Sequence, residues 1–410
     1  MWACPDGCSG SGGASPAKQP FFPMQRRFSS MIETITDFNA LLTDDNLVAI
    51  RLTQRLAPIT DTPVIFPPTY ANIGYDITTF SDGTKVVTID SIPSQANRLE
   101  PLLYTKDKQT ENWLVPPVTL VFSHESPRIQ ASLLEIGHRA ADAIVLYGTD
   151  LGSDLQKAFK DLQHGNAYPL ACIAPTSLLF GFWDSRGTGQ KRPRILRAQI
   201  RAWDIEVVYT ASQYRSVWEY LNESQRQSID DAVKNGKKSA NASEKKRSAW
   251  GLADVPNVYR PQSHDRVLGG VWVRGRLERD VVINLIALRA LKGADAQQTN
   301  ALQRYLLGLA LWTGTQDLDL YLREGCLLRY ADPNDQWMTV PRRGDPRPVE
   351  WNRDQINAYA QETAAPFRTE WPTVFGDYWP HLEYPVHIEG VARTIKNAKD
   401  DSLNLEDDPA

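Results

Sequence analysis

The chain has 410 residues, enough for one large domain with insertions or for two domains. A hydrophobic share of 42% and a charged share of 23% are ordinary for a soluble globular protein, and no apolar run approaches the roughly 20 residues that a membrane-spanning helix needs. The net charge of −4 argues against a protein that coats nucleic acid through a wholly basic surface, although it allows one basic groove.

Both ends of the chain have compositions that favour disorder. Residues 1–30 are rich in Gly, Ser and Pro and lack the apolar core of a secretory signal, and the end of the expected tail at 396–410, from residue 400 onward, has five acidic residues and no basic one. The folded part is therefore expected over residues 31–395.

Hydrophobic periodicity predicts strands and helices in mixed order. Residues 47–57 alternate between apolar side chains and a basic solvent face formed by Arg51, Thr53 and Arg55. Residues 66–76 are expected to form a loop because they contain two consecutive prolines. Further strands are predicted at 85–90, 118–124, 268–275 and 325–331, and helices at 94–100, 132–147, 279–292, 295–313 and 353–363. This order, without a regular βαβ repeat, is typical of an α+β fold.

A basic run follows the apolar segment PTSLLFGFWDS at 175–185. From Arg186 to Arg201 there are six basic residues, including Arg194, and no acidic one, which points to a local polyanion site. Residues 194–203 alternate, and one face of the predicted strand consists of Arg197, Gln199, Arg201 and Trp203. Such a face can hold a phosphodiester backbone and stack a base. An exposed strand that faces solvent or another subunit is the alternative.

Two other segments carry groups that could hold phosphates. In SQANRLE (94–100), Gln95, Asn97 and Arg98 can donate to phosphate and sugar oxygens from a helix start; alternatively, Ser94 caps a helix whose next residues are polar surface. The segment 234–247 has six basic residues against one glutamate and ends in Lys245, Lys246 and Arg247. A solvated surface loop is the alternative for that segment.

The sequence contains little that indicates catalysis. In HRAADA (138–143), His138 and Asp142 could form a general acid–base pair, or Arg139 and Asp142 could form a surface ion pair beside a packed histidine. Nucleotide-loop, serine-hydrolase and metalloprotease motifs are absent, and the histidines do not cluster. Four scattered cysteines fit neither a disulfide framework nor a zinc site. We therefore expect no catalytic residue, metal or cofactor, and a reducing, cytoplasmic setting.

Five segments together resemble a known family. They are FPPTYA (66–71), DSIPSQANRLE (90–100), HRAADA (138–143), PTSLLFGFWDS (175–185) and GGVWV (269–273). In this order they resemble the Cas-seven-like backbone subunit of type I-G (formerly I-U) CRISPR effector complexes, a member of the RAMP superfamily. The resemblance runs from about residue 32 to about residue 335 and does not include residues 1–30.

The resemblance implies an RRM-like (ferredoxin-like) palm with large insertions, and residues 60–115 and 230–265 are candidates for the thumb. It implies a non-catalytic subunit that oligomerises helically along CRISPR RNA in an antiviral defence complex (Cascade) and presents the guide to target DNA. Its partners would be CRISPR RNA, copies of itself, a large subunit, a guide-end-binding or processing subunit, and a recruited helicase-nuclease. The alternative is a RAMP endoribonuclease, for guide processing or target RNA cleavage, that uses His138 or Asp184.

The candidate RNA-binding residues come from two sources. The family blocks place Gln95, Asn97, Arg98, His138, Arg139, Ser177, Trp183, Asp184 and Ser185 at or near the groove, as the resemblance implies. The charge pattern adds Arg194, Arg197, Arg201, Lys245, Lys246 and Arg247.

Overall fold

The computed structural model describes residues 37–70, 73–104, 109–123, 127–185, 187–210, 217–234, 250–252 and 267–396. Its strands are β1 Leu47–Pro58, β2 Val64–Ile65, β3 Thr69–Tyr70, β4 Gly74–Tyr75, β5 Ile77–Thr79, β6 Lys85–Asp90, β7 Thr119–Ser123, β8 Ile129–Ser132, β9 Phe182–Trp183, β10 Lys191–Arg192, β11 Leu196–Trp203, β12 Ile205–Thr210, β13 Val267–Val273, β14 Leu277–Asn284, β15 Tyr321–Arg323, β16 Cys326–Tyr330, β17 Gln336–Pro341, β18 Arg347–Val349 and β19 Glu383–Pro385.

The α-helices are α1 Ala40–Thr43, α2 Ile92–Leu99, α3 Ala143–Gly148, α4 Leu151–Gln163, α5 Tyr168–Ile173, α6 Pro175–Phe180, α7 Glu223–Lys234, α8 Leu285–Arg289, α9 Ala296–Thr315 and α10 Arg353–Phe375. Short 3-10 helices occupy Glu100–Leu103, Thr110–Asn112, Leu133–Glu135, Arg139–Ala141, Val217–Tyr220 and Gly376–Tyr378. None of the helices in the described part of the chain is long and apolar enough to cross a membrane.

Nine of the described strands form a central antiparallel sheet. Its main order is β15-β16-β1-β14-β11-β6-β5. Strand β17 pairs with the first half of β1 and carries β18 on its other edge. Helices α4, α5 and α6 lie between β1 and β11 in the chain, and α9 lies between β14 and β17. The combination of helices with an antiparallel sheet confirms the predicted α+β class.

Helices cover one face of this sheet. Helix α9 is buried around most of its circumference from Leu302 onward, as expected for a helix packed between the sheet and another helix. Its Tyr305 ring stacks on Phe367 of α10 with centroids 4.1 Å apart. Helix α10 begins at a capping box formed by Asn352 and Gln355. The covered face holds the hydrophobic core, so the opposite face is the one that presents polar side chains.

Several predicted strands and helices agree with the structure in position, and one helix is longer than predicted. Strands β1, β6, β7, β13 and β16 occupy the predicted positions, and β11 alternates in burial as its sequence predicted. Helix α9 matches the helix predicted at 295–313. Helix α10 is longer than predicted because it continues through Pro366 and Pro372. The predicted loop at 66–76 contains the short β3–β4 pair.

Two predicted helices are wrong. The helix expected over 132–147 is replaced by the end of β8, two short 3-10 helices and α3, because Arg139 has a φ of 54° and Asp142 caps a new helix by accepting from the Ile144 amide at 2.8 Å. The helix expected over 279–292 is instead β14 followed by the short α8. Burial in β14 alternates with a period of two, but the buried side includes Arg279, which concealed the pattern in the sequence.

The segment 175–185 contains both a helix and a strand. Pro175 stands at the first position of α6, where a missing N–H costs nothing. Gly181 then turns the chain at a φ of 77° into β9, and a Cβ there would lie 2.8 Å from the Arg192 carbonyl oxygen. The segment is therefore a buried helix, a glycine turn and a short strand.

Candidate nucleic-acid interface

The polar side chains of β1, β14 and β11 line up on the sheet face opposite the helices. Strand β14 pairs with β1 on one side and with β11 on the other. The registers create three rows of facing residues, Arg51–Val282–Arg197, Thr53–Asp280–Gln199 and Arg55–Glu278–Arg201. Rows on one face are about 7 Å apart along the strands, and neighbouring strands are about 4.8 Å apart. This surface is called the open face below.

Four arginines mark the corners of the open face. Arg51 and Arg55 lie on β1, and Arg197 and Arg201 lie on β11, so their Cα atoms outline a rectangle of about 10 Å by about 14 Å. Arg55 and Arg197 are exposed, whereas Arg51 and Arg201 are half-buried. We call these four residues the arginine frame. The frame confirms that Arg197 and Arg201 share one polar face and adds the two arginines of the predicted basic face of β1.

Two carboxylates lie inside the arginine frame. Asp280 Oδ1 accepts a hydrogen bond from Thr53 Oγ1 at 3.2 Å, and Asp280 Oδ2 lies 3.8 Å from Arg201 Nη2. Glu278 Oε2 lies 2.8 Å from Nε of Arg276. Burial raises the pKa of Glu278, and the Arg276 guanidinium opposes that rise. Among the described residues, this face therefore carries five arginines and two carboxylates. Its net charge is positive, but negative charge lies between the arginines.

Trp203 closes one end of the open face. Its ring is parallel to Phe80 with centroids 6.2 Å apart, and the guanidinium carbons of Arg276 and Arg201 lie 4.2 Å and 5.2 Å from its centroid. The sequence predicted a free aromatic surface for a base. The ring instead packs against Phe80 and the two guanidinium groups, so its position beside the arginines is fixed by contacts within the protein.

The β9–β10 hairpin supplies a more accessible aromatic ring. Trp183 is 62% exposed, and Lys191, its register partner, places its ammonium 5.8 Å from the ring centroid. Asp184 points the other way and is buried, because it accepts hydrogen bonds from the Gly187 and Thr188 amides and from the Thr188 hydroxyl. Ser185 is exposed in the same turn. The hairpin therefore presents a tryptophan, a lysine and a hydroxyl to solvent.

Most of the SQANRLE block points into the protein. Gln95 is fully buried, and its Nε2 donates to Asp90 Oδ2 at 2.6 Å. Arg98 Nε donates to the same carboxylate at 3.2 Å. Asn97 is exposed, and the helix cap is Ser91 rather than Ser94. The predicted RNA contact of Gln95 thus disagrees with its burial, because its amide holds the buried Asp90.

The HRAADA block is also largely structural. Arg139 is buried, and its Nε donates to Glu100 Oε2 at 2.7 Å while Nη1 donates to the Gly181 carbonyl at 3.2 Å. Burial raises the pKa of Glu100 to about 7, with the Arg139 charge opposing the rise. Ser177 is buried as well, and its Oγ accepts from the Ala140 amide at 3.3 Å. Arg139 and Ser177 therefore join three segments of the interior instead of facing a ligand.

The remaining candidates divide between exposed positions and positions that the structure does not describe. His138 and Arg194 are exposed as whole residues, although partial desolvation of the Arg194 guanidinium, together with the nearby Arg139 charge, lowers the pKa of Arg194. Lys245, Lys246 and Arg247, with most of the candidate thumb at 230–265, lie outside the described residues. Across the described ranges no group of three His, Cys, Asp or Glu side chains could hold a metal ion.

The residues that complete the open face lie outside the strands predicted from the sequence. Arg276, Glu278 and Asp280 were assigned to a loop and a helix, although the alternation of 277–284 could have indicated a strand. Once β14 is a strand, the pairing with β1 and β11 follows only from the tertiary structure.

Part of the sequence matches a known protein family. No curated protein matches the sequence significantly. Residues 50–207 match the family described as CRISPR-associated protein GSU0053. That range contains all four residues of the arginine frame and the β9–β10 hairpin. The similarity indicates a CRISPR-associated protein.

Proposed function

We propose that this protein is a non-catalytic RNA-binding backbone subunit of a type I-G CRISPR effector complex. In this role it oligomerises along the guide RNA and presents the guide for pairing with target DNA. The observation that carries the proposal is the arginine frame, because cationic side chains regularly spaced on an open sheet face can hold a phosphodiester backbone without reading its bases. The family match over the same strands supports a CRISPR role.

The topology supports an RRM-like palm for this subunit. Strands β1, β11, β14 and β17, with helices α4–α6 and α9 between them, follow the order strand–helix–strand–strand–helix–strand of ferredoxin-like folds. RRM domains bind single-stranded RNA on the sheet face that their helices leave free. The open face occupies that side of the present sheet.

The contacts of the HRAADA block favour binding over RNA cleavage. Asp142 is engaged as the cap of α3, and Arg139 is paired with Glu100 in the interior. Of the two groups in this block that were proposed for acid–base chemistry, His138 and Asp142, only His138 is exposed. A nuclease would need a second positioned group beside it.

We further propose the partners that a backbone subunit requires. They are CRISPR RNA, copies of this chain, a large subunit, a guide-end-binding or processing subunit, and a helicase-nuclease that the complex recruits. Target DNA would be reached through the guide. The two exposed side chains Trp183 and Lys191 are candidates for contacts at the edge of the RNA groove.

The test is to purify the protein from cells that express a CRISPR array and to sequence the RNA that co-purifies. Repeat–spacer fragments, together with long regular oligomers in electron microscopy, are expected. A strictly monomeric protein–RNA complex would contradict the backbone role. Cleavage of RNA by the purified protein would favour the endoribonuclease instead, and absence of RNA binding at moderate salt would reject both.

A further inference from the structure

The two carboxylates inside the arginine frame, Asp280 and Glu278, are not explained by phosphate binding. Asp280 lies at the centre of the frame, between Thr53 and Gln199, and Glu278 lies between Arg55 and Arg201. Their side chains are 21% and 16% exposed, so both reach the surface. An ionised carboxylate repels phosphate, and two of them in the middle of a phosphate-binding face weaken that binding.

The hydrogen-bonding chemistry of the two carboxylates narrows what they can contact. An ionised carboxylate only accepts hydrogen bonds, and phosphate oxygens only accept them too. In a sugar–phosphate backbone the one donor is the ribose 2′-hydroxyl, which DNA lacks. On a face that does not read bases, a direct contact between a carboxylate and the nucleic acid is therefore favourable only at a ribose hydroxyl.

Asp280 has the geometry for that contact. Its Oδ1 is already held by Thr53, which fixes the orientation of the carboxylate. Its Oδ2 lies 3.8 Å from Arg201 Nη2, which is too long for a hydrogen bond, so this oxygen can accept from a further donor. The arginine rows lie about 7 Å to either side along the strands, so a ribose over Asp280 can have its flanking phosphates near arginines.

We propose that Asp280, with Glu278 beside it, accepts hydrogen bonds from ribose 2′-hydroxyl groups and makes the open face select RNA over DNA. The inference rests on the proposed RNA-binding function and assigns its sugar specificity. The arginines supply affinity for either backbone, and the carboxylates penalise the backbone that offers no donor.

The test compares the wild-type chain with Asp280→Asn and Asp280→Ala. Each protein is titrated, by fluorescence anisotropy, against single strands of one sequence made as RNA, as DNA and as 2′-O-methyl RNA, which cannot donate from its sugar. We expect the wild type to prefer RNA about tenfold over the other two strands. In Asp280→Ala the preference should nearly vanish, mainly because DNA binds better, and Asp280→Asn should lie between. Glu389→Gln, which removes an exposed carboxylate in the C-terminal segment, should keep the wild-type ratio.

The possible outcomes separate this inference from the function on which it rests. If Asp280→Ala strengthens RNA and DNA binding by the same factor, the carboxylate only repels phosphate and the inference is wrong. A wild-type protein that binds RNA and DNA equally also rejects it, while leaving the RNA-binding role intact. Failure of the wild type to bind any strand rejects the proposed function itself. Thermal unfolding identifies a misfolded Asp280→Ala, in which case the isosteric Asp280→Asn decides.

Discussion

Arg279 donates a hydrogen bond from Nε to Oε1 of Gln95 at 3.0 Å, in the buried layer between the sheet and its helices. Its Nη1 donates to Gln54 Oε1. Each glutamine in turn donates to a carboxylate, Gln95 to Asp90 at 2.6 Å and Gln54 to Asp335 at 2.7 Å. The positive charge of this fully buried guanidinium is thus linked to two carboxylates through glutamine amides, without a direct ion pair.

We expect Gln95→Leu to destabilise the protein by about 3 kcal/mol, because it leaves Nε of the buried guanidinium without an acceptor and removes one of the donors to the buried Asp90. The measurement is the free energy of unfolding in urea at pH 7. Asn97→Leu is the matched control, since Asn97 lies on the same helix but is exposed, and its effect should stay within about 0.5 kcal/mol. Equal effects of the two substitutions would contradict this role for Gln95.

Two glycines with similar backbone angles provide a second test. Gly181 and Gly189 have φ values of 77° and 69°, so alanine is strained at both. At Gly181 an added Cβ would also meet the Arg192 carbonyl oxygen at 2.8 Å, whereas nothing lies within 4 Å at Gly189. Gly189→Ala should cost about 1 kcal/mol and Gly181→Ala clearly more, measured by thermal unfolding. Similar losses at both sites would show that the close contact relaxes freely.

The pKa of Glu100 predicts a dependence of stability on pH. Burial raises this pKa from 4.5 to about 7 in the folded protein, so the folded state holds the proton more tightly than the unfolded state. The stabilisation by Glu100 is therefore present in full below about pH 4.5 and is lost as the pH rises through about 7. The loss is about 3 kcal/mol.

The variant Glu100→Gln isolates this contribution. As the pH rises from about 4.5 to above 7, the wild type should lose stability relative to Glu100→Gln, which has no ionisable group at this position. The measurement is the unfolding free energy of both proteins in urea titrations across that pH range. A difference that stays constant would mean that Arg139 keeps Glu100 ionised throughout, at the 2.7 Å separation of the pair.

Charge reversal at Arg197 and Arg201 tests the open face as an RNA-binding surface. The double variant Arg197→Glu and Arg201→Glu should weaken binding to RNA of every sequence and reduce the salt dependence of binding by about 1.4 in slope, for two lost phosphate contacts. Arg197→Glu should have the larger single effect, because Arg201 is partly neutralised by Asp280 at 3.8 Å. Arg393→Glu, an exposed arginine in the C-terminal segment, is the control. An unchanged salt slope in the double variant would place the RNA elsewhere.

Local patterns in the sequence correctly predicted those features that depend only on residues close together in the chain, such as the face of a strand on which a side chain lies. The alternation of 194–203 correctly separated the apolar side chains of β11 from Arg197 and Arg201, since a strand places successive side chains on opposite faces whatever it pairs with. The blocks that suggested the family were found from the sequence as well. Their roles were less evident: Gln95, Arg139 and Ser177 are polar in sequence but buried, and polarity alone does not distinguish a ligand contact from an internal hydrogen bond.

The sequence by itself therefore determined the α+β class, the two-faced strands β1 and β11, and the segments similar to a CRISPR-associated family. Only the tertiary structure decided that β14 lies between these strands, which brings Arg51 and Arg197 onto one face and inserts Asp280 between the arginines. The physical reason is that strand register is set by hydrogen bonds and burial between segments far apart in the chain, which no local periodicity encodes.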